Sequence, residues 1–158
     1  MLFKPTLKLK SVLEIDEALL TKHGIKGLIL DLDNTLSMHG NENPEEGVLD
    51  WLAKMKNLDL KLVIVSNNTR KRVEPLARIL DLPFYHRGLK PLTFAFTRVQ
   101  KEFNIPKKQI AVVGDQLFTD VLGGNIKGMQ TILVEPFEIE KGYFFLFKRK
   151  VEELFKGK

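Results

Sequence analysis

The stretch Gly27-Leu28-Ile29-Leu30-Asp31-Leu32-Asp33-Asn34-Thr35 decides how the rest of this chain is read. A continuous apolar run bounded by polar residues predicts a strand buried on both faces of a parallel sheet. Asp31 and Asp33 then sit where the chain leaves that strand, at the edge where open α/β sheets bind ligands. Two ionised carboxylates about 4 Å apart repel by roughly 4 kcal/mol at an effective dielectric of ~20. A cation must hold them together, or one must carry a proton. A divalent metal meets that need; a solvated strand-to-loop turn is the plainer reading, since Asp and Asn are ordinary turn residues.

Working outward, four further strands are predicted. Leu60–Val65 ends in Ser66-Asn67-Asn68, and Leu82–Tyr85 is followed by Arg87-Gly88-Leu89-Lys90-Pro91. Ile110–Val113 runs into Gly114-Asp115, with Asp120 five residues on, and Thr131–Val134 is the last. Residues 1–10 read as an irregular arm. Helices are expected at Leu13–Lys22 (with Ser11 and Glu14 at capping-box spacing), after Asn43-Pro44, around Pro75, over 92–103, up to about Met129, and near 144–156. Five strands alternating with helices predict an α/β fold, a doubly wound parallel sheet in one domain spanning 1–158. In such a sheet Asp31, Asp33, Ser66, Lys90 and Asp115 all reach one edge. Taken singly, Ser66 could be a helix cap and Lys90 a solvated lysine; the convergence of the set points to a site.

These segments together resemble the four motifs of the haloacid dehalogenase (HAD) superfamily of phosphohydrolases: Asp31-Leu-Asp33-Asn-Thr35, Ser66-Asn-Asn, Lys90-Pro and Gly114-Asp115-Gln-Leu-Phe-Thr-Asp120. In their longer context they resemble the YqeG-like phosphatases of subfamily IIIA, whose relatives include phosphatidylglycerophosphate phosphatases. The resemblance implies a phosphomonoester hydrolase with Asp31 as nucleophile and an aspartyl-phosphate intermediate. It implies Asp33 as general acid and base, and Ser66, Asn67 and Lys90 around the phosphoryl oxygens. Mg2+ is the implied cofactor, held by Asp31, the Asp33 backbone carbonyl and Asp115, with Asp120 acting through water. Thr35 is read as a support for the first loop.

Asp33 and Ser66 lie 33 positions apart, and Ser66 and Lys90 lie 24 apart. Each gap holds one helix and short loops, so a HAD-like fold without a cap domain is expected. An open site suits a substrate that itself excludes water, such as a macromolecule or a membrane lipid, or a site covered by another subunit. Phosphatidylglycerophosphate is the specific substrate hypothesis.

The 158 residues carry no cysteine and a net charge of +5. Thiolate metal sites, disulfides and cysteine nucleophiles are thereby excluded. The N-terminus lacks the apolar core of a signal peptide, and no run is long enough to span a membrane, so a cytoplasmic location is expected. The positive balance suits anionic partners, but no nucleic-acid-binding signature is present. In the terminal segment, Phe144, Phe147, Val151, Leu154 and Phe155 share one helical face beside Lys148, Arg149 and Lys150. Packing on the sheet's flank is the plain reading of that helix; peripheral contact with an anionic membrane is the alternative. Arg70, Arg72 and Arg87 read as solvated surface arginines or as grips on an anionic substrate, and His39 as a candidate substrate contact. The competing functions are a phosphorylatable receiver domain, a non-catalytic scaffold and a phosphotransferase sharing the intermediate.

Overall fold

Alternation along the strands sorts the apolar residues onto two faces of one sheet. In the computed structural model, which describes residues 1–137 together with 152 and 153, the strands are β1 (Leu7–Leu9), β2 (Gly27–Leu30), β3 (Lys61–Val65), β4 (Phe84–Tyr85), β5 (Ile110–Gly114) and β6 (Gln130–Val134). All pair in parallel, in the order β1-β6-β5-β2-β3-β4. Leu28, Leu30, Leu62, Ile64, Ala111, Val113, Ile132 and Val134 face one core. Ile29, Val63, Val65, Ile110 and Val112 face the other, as the two-residue period of a strand requires.

The first face is covered by α1 (Glu17–His23), α2 (Val48–Asn57) and α3 (Arg70–Leu80). The second is covered by α4 (Phe94–Phe103), whose Phe96, Val99 and Phe103 meet the strands, and α5 (Leu122–Lys127) lies beside it. From β2 the chain winds outward through β3 to β4; from β5 it winds the opposite way to β6. The direction reverses between β2 and β5, where a doubly wound sheet opens a crevice at its carboxyl edge. Among the described residues, the segments between consecutive strands hold single helices and turns, and no inserted cap.

The sheet has six strands rather than the five expected. Leu7-Lys8-Leu9, read as part of an irregular arm, pairs with Ile132-Leu133-Val134 at the edge. Its alternation is genuine, with Leu7 and Leu9 half-buried and Lys8 exposed, but three residues give too short a period to stand out from a loop.

Two helix starts also differ. Ser11 Oγ accepts from the Leu13 N–H (3.1 Å) and caps only a single 3-10 turn, Val12–Glu14; α1 has its own cap, Asp16 Oδ1 accepting from the Leu19 N–H (2.9 Å). Asn43 caps nothing. Ser37 Oγ donates to Asn43 O (2.6 Å) and the Glu45 N–H donates to Leu36 O (2.9 Å), which folds 38–46 back onto the first loop and delays α2 to Val48. Of the helix expected at 144–156, only Glu152 and Glu153 are described, and both are helical; the rest lies outside the described residues. No described helix is long and apolar enough to cross a membrane.

Candidate active site

Asp31 follows β2 directly, and its N–H still donates to Val113 O of β5 (2.9 Å), so its position is set by the centre of the sheet. The chain then turns tightly: the N–H groups of Thr35, Leu36 and Ser37 all donate to Leu32 O (3.2, 2.9 and 3.2 Å). Asn34 sits in the left-handed region (φ 62°), which Asn tolerates better than most residues. Its Oδ1 accepts from the His39 N–H (3.3 Å). Thr35 is fully buried inside this turn, in keeping with a supporting role.

Lys90 reaches the same place from the turn before α4. Its Nζ lies 2.6 Å from Asp120 Oδ1 and 3.0 Å from Asp31 Oδ1, with almost no solvent access. Asn67 sets that reach: its Oδ1 accepts from the Lys90 N–H (2.8 Å) and its Nδ2 donates to Lys90 O (2.9 Å). Sequence reasoning placed Asn67 against substrate; both ends of its amide hold the lysine's backbone, while the residue still lines the pocket. Ser66 is buried, and its Oγ accepts from the Asn68 N–H (3.1 Å).

Asp115 and Asp120 come from the end of β5 and the π-helical turn Leu117–Val121 that follows it. Gly114 makes room for them: a Cβ there would fall 2.7 Å from the Asp120 Cβ and overlap its carboxylate. Carboxylate oxygens of Asp31, Asp115 and Asp120 all lie within 4.8 Å of one another. The buried Lys90 contacts two of these three carboxylates, Asp31 and Asp120. Burial first, then the Asp120 charge, push Asp31 up to about 6 against the pull of Lys90. Burial raises Asp120 as well, again opposed by Lys90. Burial works against the charge on Lys90, but Asp120 and Asp31 outweigh it and hold the ammonium above its ordinary range.

Asp33 has different company. Arg72 Nη2 and Nε lie 2.7 and 3.0 Å from its Oδ1, and Asn68 Nδ2 donates to its Oδ2 (3.1 Å). Arg72 also donates to the carbonyls of Met38 (3.1 Å) and Asn41, stitching α3 to the first loop. Its side chain is 14% exposed, so Arg72, read from sequence as a solvated arginine or a grip on an anionic substrate, is a partly buried partner of Asp33. The signal for it was positional: Arg72 lies in the first turn of α3, the end that meets the sheet's carboxyl edge. His39 Nδ1 stands 3.9 Å from the same Asp33 oxygen. Arg70 pairs with Glu74 on the outer surface instead.

Asp31, Asp33, His39, Ser66, Asn67, Asn68, Lys90, Gln116 and Thr119 line a cavity of about 280 Å³. That volume suits a phosphate with a small polar group attached, and each of these lining residues carries a polar group.

A parallel α/β fold with an acidic cluster at its switch point is shared, as a fold, with a putative HAD superfamily (subfamily III A) hydrolase from Legionella pneumophila, at a TM-score of 0.51 and 18% identity over 86% of this chain and 90% of that one. Residues 1–138 match the family described as mitochondrial PGP phosphatase. The chain belongs to that family of phosphatases. It is 39% identical to the probable phosphatase YqeG of Bacillus subtilis over 95% of this chain and 87% of that one. It is 28% identical to the chloroplastic phosphatidylglycerophosphate phosphatase 1 of Chlamydomonas reinhardtii, over 94% of this chain and 59% of the longer algal protein. Among solved structures, the 3-deoxy-D-manno-octulosonate 8-phosphate phosphatase of Moraxella catarrhalis, in complex with magnesium, phosphate and KDO, shares the fold. Its TM-score is 0.51 at 18% identity, over 89% of this chain and 91% of that one.

Proposed function

We propose that the chain, as one capless domain, is a Mg2+-dependent phosphatase that hydrolyses phosphatidylglycerophosphate through an aspartyl-phosphate on Asp31. The placement of Asp31 carries the reading: it ends the central strand, faces the cavity, and touches Lys90. A carboxylate oxygen of Asp31 attacks phosphorus as the P–O bond to the leaving glycerol oxygen breaks, and Asp33 gives that oxygen a proton. Water then attacks the phosphorus of the aspartyl-phosphate, Asp33 takes its proton, and inorganic phosphate leaves with the Asp31 carboxylate restored. Lys90 and the Ser66 hydroxyl stabilise the charge on the phosphoryl oxygens, and Asn67 acts by holding Lys90.

The donor set fits a hard divalent cation. Asp31, Asp115 and Asp120 present only oxygens, all within 4.8 Å of one another, as a hard divalent cation prefers. Mg2+ would be held by Asp31, the Asp33 carbonyl and Asp115, with Asp120 behind them, and when bound it neutralises charge on substrate and nucleophile. The magnesium in the Moraxella catarrhalis phosphatase supports this, and the algal relative and the family description support the lipid substrate.

The test is phosphate release from phosphatidylglycerophosphate in vesicles, with and without Mg2+, beside a panel of soluble phosphate esters. The expected result is metal-dependent release favouring the lipid and lost in Asp31→Asn. Preference for a soluble ester would remove the lipid from the proposal.

A further inference from the structure

Apart from the chain-terminal Met1, the three most exposed large apolar side chains among the described residues are Phe94 (72%), Leu89 (60%) and Leu92 (55%). All three fall within six residues, on the turn that delivers Lys90 to the active site. Other exposed apolar residues, such as Leu49, Ile79 and Ile126, come from separate elements and need no partner.

The exposure of this turn is built in. The Leu92 N–H donates to Leu89 O (2.8 Å), the Gly88 N–H donates to Ser66 O (2.9 Å), and Asn67 clamps both sides of the Lys90 peptide group. Lys90 runs inward to Asp31 and Asp120, while Leu89 and Leu92 on either side of it remain in solvent. The backbone is therefore fixed with its apolar side chains outward. Cationic groups accompany them. Arg87 is exposed, and its N–H donates to O of Asn68, the residue that holds Asp33 (2.9 Å). Arg98, also exposed, lies four residues beyond Phe94 on α4 and so shares its helical face.

We propose that Leu89, Leu92 and Phe94 insert among the acyl chains of an anionic phospholipid bilayer and set the active-site cavity at headgroup level. The proposal rests on the reading of the substrate as a phospholipid. A cavity of about 280 Å³ lined by polar residues has room for a phosphorylated headgroup but not for two acyl chains as well. Those chains stay in the bilayer, so the enzyme must come to the interface. A short apolar wedge flanked by arginines suits that boundary: the wedge enters the hydrocarbon and the guanidinium groups meet anionic headgroups.

Phe94→Trp in the full chain provides a direct reporter, because the one native tryptophan, Trp51, is buried in the core. With phosphatidylglycerol vesicles its emission should shift to the blue and be quenched severalfold by spin labels on the acyl chains; phosphatidylcholine vesicles should have a weaker effect. A triple variant, Leu89→Asn, Leu92→Gln and Phe94→Gln, should keep the wild-type Tm while co-sedimentation with phosphatidylglycerol vesicles falls at least tenfold. Asn suits position 89, where φ is 56°.

Absence of vesicle binding by the wild type, undiminished binding by the triple variant, or emission from Phe94→Trp that the acyl-chain labels leave unquenched would overturn the proposal. So would a lipid-independent emission shift that grows with protein concentration, which would assign the patch to a second copy of the chain. The two proposals fail separately. Insertion without phosphate release from phosphatidylglycerophosphate retires the substrate and keeps the surface. Release from detergent-dispersed lipid without insertion keeps the substrate and retires the surface.

Discussion

The Arg72 guanidinium lies against the Asp33 carboxylate, with Nη2 2.7 Å and Nε 3.0 Å from the same oxygen. Because Arg72 also holds the carbonyls of Met38 and Asn41, it fixes both the carboxylate and the loop that carries it. Arg72→Ala should lower kcat by about 10²-fold, the lower end of what general acid–base catalysis contributes, with KM changing far less. Arg72→Lys should recover part of the loss. Stability should fall by about 1.5–3 kcal/mol, the usual contribution of hydrogen bonds to a charged group. Steady-state kinetics and denaturant melts of the three proteins check both.

Lys90 is the cation that Asp31 and Asp120 share. Lys90→Met should reduce kcat by about 10²–10³-fold, as expected on losing a charge aimed at the transition state. It should also bind Mg2+ more tightly, since the three carboxylates then lack their competing ammonium. Calorimetric titration of the variant checks the sign: weaker Mg2+ binding would place the lysine in support of the metal rather than against it.

Asp31 has a folded-state pKa of about 6 against an ordinary value of 3.8. The folded chain thus binds this proton more tightly than the unfolded chain, so the contribution of Asp31 to stability is present at low pH and lost as pH rises from about 4 through 6. Metal-free Asp31→Asn should therefore be more stable than wild type at pH 7, by about 3 kcal/mol at 1.36 kcal/mol per pH unit. The advantage should vanish near pH 4. Mg2+ competes with the same proton, so its affinity for the wild type should drop below pH 6, with proton uptake on its removal. Thermal melts across pH, with and without Mg2+, test this.

Gly114→Ala places a methyl group into the Asp120 carboxylate. Overpacking of this kind costs about 1–3 kcal/mol, and Asp120 must leave its position beside Lys90. The expected outcome is a lower Tm and at least tenfold weaker Mg2+ binding. An unchanged affinity would mean that Asp120 contributes little to the metal.

Much of this arrangement was legible in the sequence because each buried strand advertises its own end. Leu30 gives way to Asp31, Val65 to Ser66 and Val113 to Gly114-Asp115, and parallel pairing then brings those ends to one edge. What the sequence hid lay in side-chain direction and in short elements. Arg72 looks like its neighbours Arg70 and Lys71 until the helix phase is known, and only Arg72 turns toward Asp33. Asn67 reads from sequence as a substrate ligand, and only the structure adds that it holds the Lys90 backbone by both ends of its amide while lining the cavity. Leu7-Lys8-Leu9 is too brief to announce a strand, and Asn43-Pro44 carries a helix-start signal that the hydrogen bonds of Ser37 and Glu45 override.

The most direct test is to find where the phosphoryl group goes. The wild type is quenched during turnover of phosphatidylglycerophosphate with Mg2+ and reduced with borohydride, which converts an aspartyl-phosphate to homoserine, and its peptides are read by mass spectrometry. Homoserine at position 31, absent without substrate, is the predicted result. Homoserine at another carboxylate, or phosphate release by Asp31→Asn at the wild-type rate, would contradict the assignment of Asp31 as the nucleophile.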